Sequence, residues 1–162
     1  MCSVQIKILL VQITHYFASV MSDRMNYSQQ RISAKFNNIG KEEDQKVDPH
    51  SIPVPLSLIS NIQLLFMSII DMLNVAPANK EDENVIVDSA GNNLLFLKET
   101  LLEIGNFPKQ LMEYNIKLSF QSIVDKLQIE GKNIIRNEMI LVKSLIYDDT
   151  AVNCTYTTTM SV

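Results

Sequence analysis

The chain is poor in the residues that build catalytic centres, disulfide frameworks and turn-rich folds. Its 162 residues include no tryptophan, two cysteines, two histidines, four glycines and five prolines. Cys2 and Cys154 stand at opposite ends and make neither a disulfide framework nor a metal-ligand motif, which favours a reducing compartment. Few glycines, prolines and aromatics argue against a many-turned β-sandwich. The remaining apolar residues are largely Leu, Ile and Met, a composition that suits packed helices in one domain.

Positive charge is also scarce in most of the chain. The net charge is −4, but residues 1–41 hold five basic residues and one acid, a net +4 that leaves −8 for residues 42–162. Binding to nucleic acid requires clustered Lys and Arg, so the acidic body disfavours it as a partner. The basic first part is compatible with an arm, a targeting segment or chance.

The longest apolar segment with helical spacing is residues 55–74, and its single charged residue is Asp71. Its apolar residues cover an arc much wider than a surface stripe, which is typical of a helix between several neighbours. The narrow polar edge consists of Ser57, Asn61, Ser68 and Asp71. The segment is about long enough to cross a membrane, but these polar groups and the unbiased flanking charges favour a buried core helix.

Further segments repeat the helical periodicity, and Gly105 and Gly131 supply stops between them. We predict an all-α fold, an antiparallel bundle of four main helices with an additional N-terminal amphipathic helix. The four main helices are predicted at residues 55–74, 89–105, 108–129 and 132–147, and the additional one at residues 4–21. A loop is predicted at residues 75–84, and residues 85–87 fit a short strand or the entry to the next helix. No heptad run is long enough to predict a coiled coil.

The sequence divides into four parts. Residues 1–22 form an amphipathic helix or a targeting segment, residues 23–54 a polar linker with room for a short helix, residues 55–147 the bundle domain, and residues 148–162 a flexible Thr-rich tail. A signal peptide at residues 1–22 is supported by Lys7 but weakened by polar interruptions of the apolar region. A transit peptide fits the scarce acids but not the absence of arginine there.

No group of residues resembles a known catalytic, cofactor or metal site. His15 and His50 lie near no nucleophile-elbow sequence, and both are interpreted as surface or partly buried histidines. Asp71 is either a perturbed core acid or, as we favour, a group that reaches solvent near the helix end. The acidic runs 42–44 and 81–83 lack the residue order of a calcium loop.

Two triplets, beginning at Asn26 and Asn153, fit the N-glycosylation acceptor pattern. They matter only if the chain is secreted.

The sequence therefore predicts a non-enzymatic helical interaction subunit or adaptor that binds another protein through an apolar helix face or groove. Its localisation is expected to be cytoplasmic or nuclear, without nucleic acid or membrane as partners, and homo- or hetero-oligomers are both compatible. The alternative is a secreted helical-bundle ligand or effector with residues 1–22 as signal peptide. A third hypothesis is an enzyme with an unrecognised site around Asp71 or His50.

Overall fold

The computed structural model of the protein describes residues 2–105, 107, 123–128 and 130–147. Within these residues the chain is all-α and contains no strand, so the predicted fold class is confirmed. The helices are α1 (Val4–Asn37), α2 (Leu56–Leu73), α3 (Lys80–Ile104) and α4 (Asn133–Tyr147), and residues 123–128 are also helical. Two 3₁₀ turns, Glu43–Gln45 and Pro49–Ser51, lie between α1 and α2.

The predicted core helix is α2, which begins directly after Pro55. Ten of its 18 residues are buried, as its wide apolar arc predicts. Asp71 is exposed, in agreement with the solvent-facing interpretation. Ser68 was predicted to lie on the polar edge of α2, but it is buried. Its hydroxyl donates to the carbonyl oxygen of Leu64 at 2.9 Å. That local bond satisfies a polar group inside an otherwise apolar interface.

The sequence prediction for α1 was wrong about its end. Residues 23–54 were predicted as a polar linker with room for a short helix, whereas α1 itself continues without a break to Asn37. No glycine or proline interrupts residues 4–39, and polar residues do not by themselves end a helix that packs on a neighbour. The second half of α1 is held by Tyr27, which is 3% exposed and donates its hydroxyl hydrogen to the carbonyl of Ile52 at 2.9 Å.

The segment between α1 and α2 is fixed to α1 rather than free. The Asn38 amide donates to the carbonyl of Val47 at 2.6 Å and accepts from its N–H at 3.0 Å. Gly40 has a φ of 79°, in the left-handed region that favours glycine, and it turns the chain after the helix. At the start of α2, Asn61 donates to Asp23 at 2.9 Å, so α2 runs back along α1.

The prediction for α3 was wrong about its beginning. The predicted loop 75–84 includes the first turn of a helix that starts at Lys80, and residues 85–87 belong to that helix. The side chain of Asn79 caps it by accepting from the N–H of Asp82 at 2.8 Å. The acids of the run 81–83 occupy the first turn, where they interact favourably with the helix dipole.

The order of contacts gives the helix directions. The Ser3 N–H donates to Asp82 at 3.3 Å and Arg24 donates to Thr100 at 3.1 Å, so α3 runs parallel to α1 and antiparallel to α2.

α4 packs on α3 and starts at the same end of the bundle. Lys132, just before α4, lies 3.5 Å from Glu83 in the first turn of α3. Lys98 and Glu138 form a partly buried ion pair at 2.9 Å further along the two helices.

Two predicted segments lie partly or wholly outside the described residues. Of the predicted helix 108–129, residues 123–128 are helical and residues 108–122 and 129 are outside. The predicted tail 148–162 is outside as well, and with it Asn153 and Cys154. The division of the chain into functional parts stays a prediction.

Candidate functional site

The side of α1 that packs into the core is a line of buried residues spaced by seven, which we call the buried seam. Its buried residues are Ile6, Ile13, Val20 and Tyr27. A spacing of seven corresponds to 3.5 residues per turn, the period of helices that wind around a neighbour through a narrow seam. Four buried positions in a helix of 34 residues leave most of its circumference outside the core.

A second line of apolar residues, also spaced by seven, runs along the opposite side of α1. It consists of Val4, Val11, Ala18, Met25 and Ile32, all of which are exposed. Each lies two positions before or five after a residue of the buried seam, which is an angular separation of roughly 140–160° around the helix. Exposed Ile8 and Phe36 flank the line near its two ends. We call these seven residues the outer face of α1.

A groove of about 520 Å³ separates the second half of the outer face from α3. It is lined by Met21, Arg24, Met25, Ser28, Gln29, Ile32, Phe96 and Glu103. Phe96 is held by Phe17, with the two ring centroids 4.2 Å apart. The groove is lined by both apolar and polar side chains, and it is large enough to accept apolar side chains from another molecule.

A network of polar side chains beside the groove joins α1 to α3. Arg24 forms an ion pair with Glu103, and the hydroxyl of Ser28 donates to the same carboxylate at 2.8 Å. Arg31 donates to the carbonyl oxygen of Glu103 at 3.2 Å. It also lies 2.9 Å from Nδ1 of His50, which accepts when the imidazole is neutral. Because these groups are already paired, the network positions two helices.

A second polar group, Asp82, is almost fully buried at 1% exposure. Its Oδ1 accepts from the N–H of Ser3 at the start of α1, while the residue itself lies in the first turn of α3. The carboxylate thus lies where the N-termini of two helices meet. Its Oδ2 has no hydrogen-bond partner among the described residues. The sequence did not single out Asp82, since the acidic run was interpreted as a solvated loop.

The charge on α1 is unevenly distributed. Its one acid, Asp23, is held by Asn61 of α2 and so lies on the inward side. Lys7 and Lys35 are exposed near the two ends of the helix, and within the described residues neither forms an ion pair. The outer face is therefore an apolar line flanked by positive charge.

Comparison with known proteins adds one finding of partial similarity. A protein from Camponotus floridanus described as "BRISC complex subunit FAM175B" is 28% identical over 112 residues. The alignment covers 65% of this chain and 24% of that protein, so the chain spans about a quarter of its relative. The chain is similar to part of a complex subunit. No family model matches it, and no solved structure matches it.

Length and composition alone would let two segments cross a membrane. They are α1 and the segment Glu43–Leu73, which contains α2. In the most apolar stretch of α1, 22% of the residues are buried inside the protein, and in the corresponding stretch of the α2 segment the share is 56%. The core position of α2 explains its apolar content, whereas the apolar residues of α1 are divided between the side that packs on the core and the exposed outer face.

The residues singled out from the sequence do not come together. His15 and His50 are both exposed, as interpreted, and Asp71 lies at the exposed edge of α2. Among the described residues no group of three or more His, Cys, Asp or Glu is arranged to hold a metal ion.

The glycosylation triplet at Asn26 lies in the middle of α1. Asn26 itself is exposed, but Tyr27 is buried and the Ser28 hydroxyl is bound to Glu103. The acceptor function of Asn26 stays a prediction.

The outer face was not predicted from the sequence. Dividing α1 after residue 22 hid the spacing by seven, which continues from Val4 to Ile32 across that point. The prediction that no heptad run is long enough for a coiled coil was made without this line. Testing every seventh residue from each starting position would have found it.

Proposed function

We propose that this protein is a non-enzymatic subunit of a multiprotein complex, in which the outer face of α1 binds another protein. The observation that carries the proposal is the outer face itself. Val11, Met25 and Ile32 are 70%, 56% and 51% exposed in one line on a helix fixed to the core. Apolar surface of this kind is typical of a docking site for another chain.

The partial similarity to a BRISC complex subunit supports the same class of function. It supports a role as a complex subunit, and the identity of the partner is left to experiment. The non-enzymatic part of the proposal is supported by the polar groups beside the groove, whose side chains pair with one another. This network joins α1 to α3 and thereby fixes the position of α1, the helix that carries the outer face.

The structure also bears on the secreted alternative. That hypothesis expects a mature chain starting near Asp23, with residues 1–22 removed. Cleavage there would take Ile6, Ile13 and Val20 out of the core, three of the four buried residues of α1. Losing three buried aliphatic side chains would cost roughly 2–5 kcal/mol for each. An intact α1 therefore fits the proposed function better.

The test is the size of the native assembly with a matched pair of variants. Ile32→Asp places a charge on the outer face, and Ile134→Asp places the same charge on α4, where Ile134 is 80% exposed. We expect wild type and Ile134→Asp to elute from native extracts in one large assembly, and Ile32→Asp to elute at the mass of the free chain. Elution of wild type itself at the mass of the free chain would contradict the proposal.

A further inference from the structure

We propose that the occupant of the outer face is an acidic amphipathic helix of a partner protein, packed along α1 in heptad register. This inference rests on the proposed function and deepens it by naming the chemistry of the partner segment. Three features of the described residues carry it: the period of the apolar line, the sign of the flanking charge and the groove beside Phe96.

The period indicates a helix rather than a lipid surface. Val4, Val11, Ala18, Met25 and Ile32 keep a strict spacing of seven, which matches the seam between two wound helices. A helix that lies on a membrane instead needs a broad apolar face with no requirement for a period of 3.5. Exposed polar residues, His15, Ser22 and Gln29, alternate with the apolar line along the helix. These polar residues limit the width of the apolar surface to a narrow seam. The seam is about 50 Å long, at 1.5 Å per helical residue.

The outer face suits packing against a partner helix, because the inner side of α1 already follows the same repeat of seven. An ideal straight helix drifts by about 20° per heptad relative to a strict repeat of seven. The buried seam from Ile6 to Tyr27 keeps that repeat of seven against the bundle. The outer line follows the same repeat, so a second helix wound along α1 would stay aligned with it.

The charge indicates that the partner helix is acidic. In two-helix packing, the positions that flank the seam form pairs across the interface and select the partner. On α1 the exposed ionic residues flanking the outer face are Lys7 and Lys35, and its one acid, Asp23, is turned towards α2. A helix with Glu or Asp beside its own apolar seam complements this pattern.

A second copy of this chain complements the face less well. In an antiparallel pair, Lys7 of one copy would lie near Lys35 of the other, so like charges would meet at both ends. In a parallel pair, Ser22 and Gln29, which border the apolar line, would each lie against their own copy at the interface, where a polar residue costs stability. Both arrangements favour a different, acidic chain.

The groove beside α3 provides an anchor point at the second half of the seam. Met25 and Ile32 of α1 and Phe96 of α3 line a space of about 520 Å³. Binding energy concentrates where a large apolar side chain fills such a space and water is excluded. We expect the partner helix to place a Leu, Met or Phe there.

The test uses two synthetic peptides and the full chain. Each peptide has four heptads, about 28 residues, with Leu in the apolar positions; one carries Glu and the other Lys in the flanking positions. Fluorescence anisotropy should show the Glu peptide binding at least tenfold more tightly than the Lys peptide. The affinity for the Glu peptide should fall as salt is raised, because the flanking charges are exposed. The double variant Lys7→Glu/Lys35→Glu should reverse the preference.

Controls separate docking from unfolding and from other occupants. Ile32→Asp should lose the Glu peptide while retaining the circular dichroism of the wild type, and Ile134→Asp should bind like the wild type. Equal binding of the two peptides at low salt would overturn the inference. So would dimerisation of the chain through the outer face, or binding to phosphatidylserine vesicles without binding to either peptide.

The two proposals fail in different ways. If Ile32→Asp disrupts the native assembly but the peptides are not discriminated, the docking function stands and the acidic-helix inference falls. If the wild-type chain forms no native assembly, the proposed function falls, whichever peptide binds.

Discussion

The two most apolar helices of this protein, α1 and α2, use their side chains in opposite ways. In α2, ten of 18 residues are buried among the other helices. In α1, four of 34 residues are buried, and a second apolar line faces away from the core. Apolar content alone would assign both helices to the same role, and both have the length and hydropathy of a membrane span.

The difference teaches that apolar residues become informative about function where the fold leaves them uncovered. The apolar arc of α2 is accounted for by the core that it builds. The outer face of α1 contributes nothing to that core, because its residues project roughly 140–160° away from the buried seam. An exposed apolar line on a fixed helix is therefore a candidate binding surface, while α2 is the element that keeps α1 in place.

The largest expected effect is a charge in the centre of α2. Leu65 is 0% exposed, so Leu65→Asp would bury an unpaired carboxylate and cost a large share of the roughly 5–15 kcal/mol that stabilises a domain. We expect the variant to be unfolded by circular dichroism, and Ile62→Asp to behave alike. Ser57→Asp, on the exposed edge of the same helix, should melt like the wild type. Equal melting of all three would mean that α2 is not the core helix.

A smaller effect separates the two faces of α1. Ile13 belongs to the buried seam at 2% exposure, so Ile13→Ala should lower the free energy of unfolding by roughly 2–5 kcal/mol. Val11→Ala, two residues away on the outer face, should change it by less than about 0.5 kcal/mol. Urea unfolding of both variants measures the difference. Similar losses at both positions would show that the outer face is covered within the protein itself.

The connection between α1 and α2 depends in part on one hydrogen bond. Tyr27→Phe keeps the buried ring and removes the hydroxyl that donates to Ile52. A loss of about 1 kcal/mol is expected from chemical denaturation, the usual net contribution of such a bond. An unchanged stability would indicate that the segment before α2 is held without it.

The smallest expected effect is a pH dependence at the start of α3. The hydrogen bond and the charge of Lys80 hold the pKa of Glu83 below its ordinary value, with a smaller contribution from Lys132. A lowered pKa in the folded state means that the carboxylate stabilises the fold above its unfolded pKa of about 4.3. This stabilisation is lost as the pH falls through the lowered value.

Glu83→Gln should therefore be less stable than the wild type at pH 7 and equally stable in strong acid. Thermal melts of both proteins between pH 7 and pH 2 would show whether their stabilities become equal as the pH falls. The matched control Glu99→Gln removes a carboxylate from an exposed position of the same helix. A constant difference between wild type and Glu83→Gln at every pH would contradict the assignment.

The sequence predicted much of the fold because helical periodicity is a local signal. The end of α2 after Leu73 and the stop at Gly105 follow from the spacing of apolar residues and from breakers in the sequence. The continuation of α1 past residue 22 did not follow, since its stability comes from contacts distant in sequence. Tyr27 and Asp23 are held by Ile52 and Asn61, which no local pattern connects to them.

The binding surface was harder to predict than the fold for a physical reason. An apolar residue in an amphipathic segment is expected to face the core, and Met25 and Ile32 lay in the segment that was predicted as a polar linker. Which of two apolar lines on one helix is buried depends on the neighbouring helices. The position of Asp82 at two helix N-termini is likewise visible only once α1 and α3 are placed side by side.

The central claim is that the outer face of α1 binds another protein in register along its length. A crosslinking scan tests it most directly, with a photoreactive residue placed in turn at Val11, Ala18, Met25 and Ile32 in cells, and at Ile134 as the control. We predict crosslinks from the four outer-face positions to one partner protein, advancing along that partner in steps of about seven residues. Crosslinks to that partner from Ile134 alone, or none from α1, would contradict the account.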